Sequence, residues 1–397
     1  MKAPIAFGNK QLIAQLEAKA YLSYAAIAPA TEPVMRAVRE LLDDYARGGN
    51  TALSKWLPRR EALRAQLGEL LGASADHVAL SASATRALGD LALCLPWQAG
   101  DGILVGEGEF PGNVSPWQNA ARLFSLNVHF LPKLRTSDDD ELLTALEARL
   151  RAGRVRLVAL SAVQFQTGIR APLAAIVSLC RAHGAELAVD AIQALGVVPL
   201  NVTALDIDYL AGGAHKWLMA LEGAGFLYAK PDCARRLVPR TANWLSHEEG
   251  LRFLFEGPGQ LRYDRPIKTN IQFLEGTSAN GVGYAALEAA LECLLGLGVP
   301  AIFEHVSGYL DELEAGLLAR GVRSLRPPDP ARRSGILSFE PPAGMAAANV
   351  VAALREHGVY ATMPDGLVRI APHFPNSRDE IPLVLAALDA AQRTTIA

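Results

Sequence analysis

The segments AELAVDA (185–191), IDYLAG (207–212) and GAGFLYA (223–229) decide the fold of this 397-residue chain. Short, continuously apolar runs of this kind predict strands that are buried on both faces of a sheet. Four similar runs come earlier, namely VALSA (78–82), ILVG (103–106), LNVHFL (126–131) and VRLVALS (155–161). Helical patterns separate most of the runs, an order typical of parallel sheets. We therefore predict an α/β fold with a seven-stranded, mainly parallel sheet.

The character of the sequence changes after about residue 280. Long helices rich in alanine and leucine are predicted at about 281–295 and 300–319, and two short strands with two more helices follow. We predict a large domain over residues 31–284 and a smaller α+β domain over residues 285–397. The N-terminal segment, residues 1–30, is expected to join the small domain.

Composition excludes several function classes. The 38 basic and 41 acidic residues nearly balance, so the chain lacks the basic footprint of a nucleic-acid-binding protein. We find no apolar signal core and no run of about 18 apolar residues, so we expect no membrane segment. The four cysteines are widely spaced, which predicts reduced thiols and neither a disulfide framework nor a metal site. These features predict a cytoplasmic protein.

Lys216 is the strongest candidate for a nucleophile. Lysine is scarce, with eight in the chain, and Lys216 lies in AHKWLMALEG between two predicted strands. An apolar setting lowers the pKa of a lysine toward the neutral, nucleophilic state, which suits a Schiff base. The alternative is an ordinary surface lysine whose stem lies along apolar neighbours.

Two further stretches carry polar groups at predicted strand ends. Asp190 ends AELAVDA, where open α/β sheets place their ligands, and its carboxylate suits a pyridinium nitrogen. A helix cap or a magnesium ligand is the alternative for Asp190. In LSASATRAL (80–88) a strand leads into a helix, so the amides of Ala84 and Thr85 can form an anion site or merely an ordinary helix start. No GxGxxG follows the first strand of the predicted sheet, which disfavours a dinucleotide fold.

VDAIQALG (189–196) followed by AGGAHKWL (211–218) resembles the signature of the class V aminotransferase family, pyridoxal-phosphate (PLP) enzymes of fold type I. That family includes cysteine desulfurases, C–S lyases and isopenicillin-N epimerase-like proteins. The resemblance covers nearly the whole chain. Its other motifs are YLSYAAIAP (21–29), SASATRAL (81–88), EGEFPGNVSPWQ (107–118), EGTSANGVGYAALEAAL (275–291) and LVRIAPHFPNSRDEI (367–381).

The resemblance implies a role for each matching residue. It makes Lys216 the Schiff-base lysine, Asp190 the partner of the ring nitrogen, and Arg369 the residue that binds the α-carboxylate of an amino acid substrate. Thr277 would reach the phosphate in a neighbouring subunit of a homodimer. The remaining contacts are Ala84, Thr85 and His215 at the phosphate, Phe110 against the ring, Gln193 near the 3′-oxygen, Gln164 or else Gln166 beside the same oxygen, and Ala26 at the substrate.

Three departures from the family pattern bear on the reaction. No cysteine follows Cys293, so we predict that the enzyme is not a persulfide-type cysteine desulfurase. Phe110 stands where many relatives stack a histidine, and Gly213 stands where many place a phosphate-binding serine. Transamination and β-elimination by a C–S lyase remain equally open, an amino-acid epimerase comes behind them, and a non-catalytic binding protein is the alternative of another class.

Overall fold

The computed structural model describes residues 4–278 and 280–396. Residues 1–3, 279 and 397, which fall within the three predicted units 1–30, 31–284 and 285–397, lie outside the described part. Among the described residues, eleven strands are present. They are β1 (Ala20–Tyr21), β2 (Val78–Ser81), β3 (Gly102–Gly106), β4 (Asn127–Leu131), β5 (Val155–Ser161), β6 (Glu186–Asp190), β7 (Tyr209–Gly213), β8 (Gly225–Ala229), β9 (Leu337–Phe339), β10 (Val359–Tyr360) and β11 (Val368–Ile370).

Seven of these strands form the central sheet, in the order β2-β8-β7-β6-β5-β3-β4. Strand β8 runs antiparallel to both of its neighbours, and every other pair is parallel. The predicted α/β fold with a seven-stranded, mainly parallel sheet is therefore confirmed. Register pairs Ser161 with Asp190 and Asp190 with Ala211, so the C-terminal ends of β5, β6 and β7 meet at one edge.

The sheet is buried on both faces. Along β6, Leu187 and Val189 belong to one hydrophobic cluster and Ala188 to another, because successive side chains point to opposite faces. The helices that surround the sheet and continue the chain are α1 (Glu32–Gly48), α2 (Ala52–Leu71), α3 (Ala84–Cys94), α4 (Ser115–Phe124), α5 (Asp140–Arg151), α6 (Leu173–His183), α7 (Pro231–Ala234), α8 (Arg252–Phe255), α9 (Gly281–Leu297), α10 (Val299–Leu318), α11 (Ala347–Glu356) and α12 (Ile381–Ile396).

Two small sheets lie outside the central one. Strand β1 pairs parallel with β10, and β9 pairs antiparallel with β11. The first pairing ties the N-terminal segment to the C-terminal part of the chain. It supports the division into residues 31–284 and a smaller unit of residues 1–30 with 285–397, which we propose as the domain organisation.

Helices α9 and α10 are the most apolar long helices. Within the described residues no single helix is long and apolar enough to cross a membrane. The two together have the required length and composition, but they are bent by 78° at the break between them. Side chains of both helices, including Leu291 and Leu310, are part of the larger hydrophobic cluster.

Candidate active site

Lys216 lies in a tight turn just beyond the end of β7. The amide of Met219 donates to the carbonyl of Lys216 at 2.9 Å, and the amide of Ala220 donates to the carbonyl of Ala214 at 3.0 Å. Met219 has a φ of 56°, which is unusual for a residue other than glycine. Such strained positions are concentrated at functional sites, where packing holds them in place.

The setting of Lys216 favours a neutral amine. The pKa of Lys216 is lowered to about 8, mainly by burial; the nearby Asp190 carboxylate opposes this lowering and the charge of Arg369 adds to it. The Lys216 nitrogen lies 5.4 Å from the centroid of the Phe110 ring. With this pKa roughly a tenth of the amines are uncharged at pH 7, far more than for an ordinary lysine, and the uncharged amine is the form that a nucleophile or a general base requires.

Asp190 brings a buried carboxylate to the same edge of the sheet. Its side chain is 5% exposed, and its Oδ1 accepts a hydrogen bond from the amide of Ile192 at 2.9 Å. Within the described residues no donor reaches the second oxygen, Oδ2. Burial raises the pKa of Asp190, and the Ile192 amide and Lys216 oppose that rise. The protonated ring nitrogen of the expected pyridoxal phosphate could donate a hydrogen bond to Oδ2.

The N-terminus of α3 forms an open anion site. The Ser83 hydroxyl accepts from the Arg86 amide at 3.1 Å, while the amides of Ala84 and Thr85 belong to the first turn and have no partner inside the helix. A methyl group on Gly112 would lie 2.6 Å from the Thr85 hydroxyl oxygen. The absence of a side chain at Gly112 therefore keeps this helix start accessible to a phosphate.

Gly213 approaches the same helix start, and His215 follows two residues later. A methyl group on Gly213 would lie 3.7 Å from the Ala84 nitrogen and 2.7 Å from Cδ1 of Ile192. The Ile192 side chain therefore fills space that a serine at position 213 would need. His215 is partly buried, and burial followed by the charge of Lys216 lowers its pKa.

Arg369 is a buried cation. It is 5% exposed, and it donates to the carbonyl of Phe165 at 2.7 Å and to the hydroxyl of Thr362 at 3.1 Å. In the described part of the chain no carboxylate forms an ion pair with it. Burial lowers the pKa of Arg369 to about 10, so it stays charged at neutral pH. A buried guanidinium without an anionic partner has the charge and the planar fork that suit a carboxylate.

The two candidate glutamines differ in their partners. The Gln164 Oε1 accepts a hydrogen bond from the Thr167 hydroxyl, and no acceptor for its Nε2 is present in the described residues. Both ends of the Gln166 amide are engaged, since Lys133 donates to its Oε1 at 2.8 Å and its Nε2 donates to Asp365 at 2.9 Å. Gln164 is thus the more available of the two.

Gln193 joins three parts of the site. Its Oε1 accepts from the Trp217 indole at 2.8 Å, and its Nε2 donates to the carbonyl of Ala25 at 3.0 Å. Ala26 follows in the N-terminal segment, and its amide donates to the carbonyl of Ser23 at 2.8 Å. The segment predicted to lie at the substrate is therefore anchored to the loop that follows Asp190.

Thr277 is not part of this group. It is exposed, and it lines a surface cavity together with Ser81, Arg86 and Asn280, beside the outermost strand β2. A role for Thr277 at a neighbouring subunit's phosphate stays a prediction.

Glu109 is a feature that the sequence analysis missed. Its carboxylate accepts hydrogen bonds from the Ser161 amide at 2.7 Å, from the Ser161 hydroxyl and from the Asn113 amide group at 3.0 Å. Burial raises the pKa of Glu109 to about 7 against the effect of these donors. The network fixes the segment that carries Phe110 to the end of β5. An acidic residue soon after the buried strand β3 was the signal available in the sequence.

The chain is similar to known proteins over most of its length. Residues 20–366 match the family model described as Aminotransferase class-V. A cysteine desulfurase of Dickeya dadantii (strain 3937) is 32% identical over 328 residues, which are 81% of this chain and 76% of the relative. An uncharacterized aminotransferase of Bacillus subtilis (strain 168) is 26% identical over 372 residues, 94% of each chain. The solved structure of a C-DES mutant with glycine covalently linked to its PLP cofactor has a TM-score of 0.85 at 24% identity, over 96% of this chain and 98% of that one.

These comparisons correct one prediction. The exclusion of a persulfide-type cysteine desulfurase is wrong, because a relative that is 32% identical over most of this chain is a cysteine desulfurase. The exclusion depended on one missing cysteine in the stretch before Arg369. A single loop side chain is weaker evidence about the reaction class than similarity across the whole framework that holds the site.

Proposed function

This chain belongs to the class V aminotransferase family, its cofactor is pyridoxal 5′-phosphate, and we propose that it cleaves the carbon–sulfur bond of a cysteine-type amino acid. The observation that carries the proposal is a buried Arg369 without an anionic partner among the described residues, close enough to Lys216 for its charge to lower the pKa of that amine. One group can hold an α-carboxylate while the other removes the α-proton.

The residues present fit each part of the cofactor. Lys216 offers the amine for the aldehyde, and the free oxygen of Asp190 suits the ring nitrogen. The start of α3 suits the phosphate through Ala84 and Thr85, and the family resemblance adds His215 to this group. Phe110 offers an apolar ring for stacking. When bound, the cofactor supplies an electron sink for the charge left on the α-carbon.

The hydrogen bonds of the glutamines indicate which amide groups are free to contact the cofactor oxygen. We assign Gln164 to the cofactor oxygen, because Gln166 is engaged by Lys133 and Asp365 at both ends of its amide. Gln193 has one N–H of its amide left after its bond to Ala25, and we assign that hydrogen to the same oxygen.

Arg369 selects amino acids. Its guanidinium is fixed by Phe165 and Thr362, and a planar fork held in this way binds a carboxylate through two parallel hydrogen bonds. Fixing the carboxylate orients the α-carbon relative to Lys216. We place Ala26 at the substrate side chain, because its segment is anchored through Ala25 to Gln193.

Phe110 narrows the reaction class. An epimerase that uses two bases needs a proton carrier on each face of the α-carbon, whereas the side chain that faces Lys216 is a phenylalanine, which exchanges no proton. This supports a reaction in which Lys216 alone handles the α-proton. The desulfurase relative supports a sulfur-bearing substrate.

The test is product analysis of the purified holoprotein with L-cysteine, L-cystine and L-alanine. C–S cleavage is supported by sulfide with pyruvate and ammonia from L-cysteine, by cysteine persulfide with pyruvate and ammonia from L-cystine, or by alanine with the sulfur transferred to an added thiol as a persulfide. The nature of the co-product then separates elimination from sulfur transfer. Amino transfer that needs an added 2-oxo acid and releases no sulfur would contradict the proposal.

A further inference from the structure

We propose that His373 is a positioning residue that holds the turn carrying Lys216 in its working geometry, through a hydrogen bond to the carbonyl of Trp217. This inference rests on the proposed role of Lys216. His373 lies four residues after Arg369, in the segment that follows β11. It therefore connects the segment that binds the carboxylate to the turn that carries the amine.

The protonation of His373 is fixed by its neighbours. The side chain is 0% exposed, and its Nδ1 lies 2.7 Å from the amide nitrogen of Phe374. A backbone N–H can only donate, so Nδ1 accepts and the ring proton is on Nε2. Nε2–H then donates to the carbonyl oxygen of Trp217 at 2.9 Å. Burial lowers the pKa of His373 to about 4, which keeps this neutral form throughout the neutral range.

The side chain of His373 is itself held in place. Its backbone amide donates to Oδ1 of Asn376 at 2.8 Å, and Nδ2 of Asn376 donates to Glu380 at 2.8 Å. Tyr24 packs against the imidazole, with ring centroids 5.3 Å apart. The donor that reaches Trp217 is therefore part of a rigid, buried network.

Trp217 transmits this restraint to Lys216. It is 0% exposed, and its indole N–H donates to Gln193 at 2.8 Å. A methyl group on Gly196, whose φ is 98°, would clash with the Trp217 carbonyl, and one on Gly335 would lie 2.9 Å from the indole ring. Two glycines thus allow close packing around Trp217, while His373 fixes its backbone and Gln193 its side chain.

The consequence concerns the amine. Without the His373 donor the buried carbonyl of Trp217 would lack a partner, and the turn would reorient to satisfy it. Lys216 precedes Trp217 directly, so its nitrogen would move away from the buried position between Asp190, Arg369 and Phe110. Greater access to water would bring the amine back toward the behaviour of a solvated lysine.

The experiment measures the reactivity of Lys216 in the apoprotein, so it is independent of the reaction that the holoenzyme performs. Lysines are acetylated briefly with acetic anhydride at a series of pH values, and each is quantified by mass spectrometry. His373→Leu removes the donor, whereas His373→Gln keeps an N–H that can reach the carbonyl. Lys268, half-buried on another loop, is the internal control.

We expect the labelling midpoint of Lys216 to rise by about one pH unit or more in His373→Leu and to stay near the wild-type value in His373→Gln, with Lys268 unchanged in both. A folded His373→Leu protein with an unchanged Lys216 midpoint would overturn the proposal. If that variant does not fold, His373→Asn, whose shorter amide cannot reach the carbonyl, must show the same rise, and an unchanged midpoint there would equally overturn it.

Discussion

The amine of Lys216 and the ring of Phe110 face each other, with 5.4 Å between the nitrogen and the ring centroid. Phe110 in turn packs edge-on against Phe165 at 5.5 Å, and the carbonyl of Phe165 accepts the hydrogen bond from Arg369. A continuous row of contacts thus joins the amine of Lys216 to the guanidinium of Arg369. Lys216 is the member of this row that can take up a proton.

Replacing Lys216 should abolish covalent cofactor attachment. We expect borohydride reduction of the wild-type holoprotein to leave the PLP adduct on Lys216, because its lowered pKa makes it nucleophilic. Lys216→Ala should give no adduct by peptide mass spectrometry. Lys268→Ala is the matched control and should keep the adduct. An adduct on another lysine in the wild-type protein would contradict the assignment.

Arg369→Ala should weaken selection for the α-carboxylate. A lost charge-assisted pair costs about 1.5–3 kcal/mol, which corresponds to a fall in kcat/KM of roughly 10- to 150-fold. Arg369→Lys should have a kcat/KM between those of the wild type and Arg369→Ala, because an ammonium keeps the charge but cannot form two parallel hydrogen bonds with a carboxylate. Steady-state kinetics measure the effect, and Arg355→Ala, an exposed arginine on α11, is the control. Equal kinetics for Arg369→Ala and the wild type would contradict the role.

Asp190→Asn should make Lys216 more easily deprotonated in the apoprotein. The Asp190 carboxylate raises the pKa of Lys216, so its removal should lower that pKa below about 8. Acetylation of Lys216 at pH 7 should then be faster, by up to tenfold for each pH unit. Lys268, whose pKa is influenced by Glu275 and not by Asp190, should react as before. Unchanged labelling of Lys216 would show that the two side chains are not coupled, and slower labelling would show that Asp190 does not raise the pKa of Lys216.

Glu109 should make stability depend on pH. The pKa of Glu109 is raised from 4.5 to about 7 in the folded protein. As the pH rises, the unfolded chain therefore loses this proton at a lower pH than the folded chain does. The free energy of unfolding should therefore fall as the pH rises from about 4.5 to 7, by about 3 kcal/mol at most. Glu109→Gln should remove that part of the slope in denaturant titrations. Exposed Glu107, changed to Gln, should leave the slope in place.

We propose that the protein is a homodimer, with Thr277 near the partner's phosphate. The segment 244–263 exposes aromatic side chains, among them Phe255 and Tyr263, which are 61% and 90% accessible. Exposed aromatic side chains of this kind favour a protein–protein interface. Light scattering should give twice the chain mass, and Phe255→Glu should shift it toward the monomer. Thr277→Ala should weaken cofactor binding without unfolding. A monomer with full cofactor occupancy would contradict this arrangement.

The sequence located the strands and the residues at their ends. Runs such as AELAVDA and VRLVALS are short and almost continuously apolar, a local pattern that predicts buried strands, and strands are found in these segments of the structure. Asp190 was found because it ends such a strand and Lys216 because it follows one, and the ends of neighbouring parallel strands meet at one edge. Local patterns were sufficient for this part of the site.

The tertiary structure alone decided the contacts between distant segments. Arg369 and Phe165 are 204 positions apart, and His373 and Trp217 are 156 apart. The antiparallel direction of β8 and the hydrogen bond from Gln166 to Asp365 could not be predicted from the sequence near those residues. Periodicity reports which face of a segment is buried, whereas a hydrogen bond between remote segments depends on how those faces pack. The amine was therefore predictable from its own neighbourhood, and the network that holds it was not.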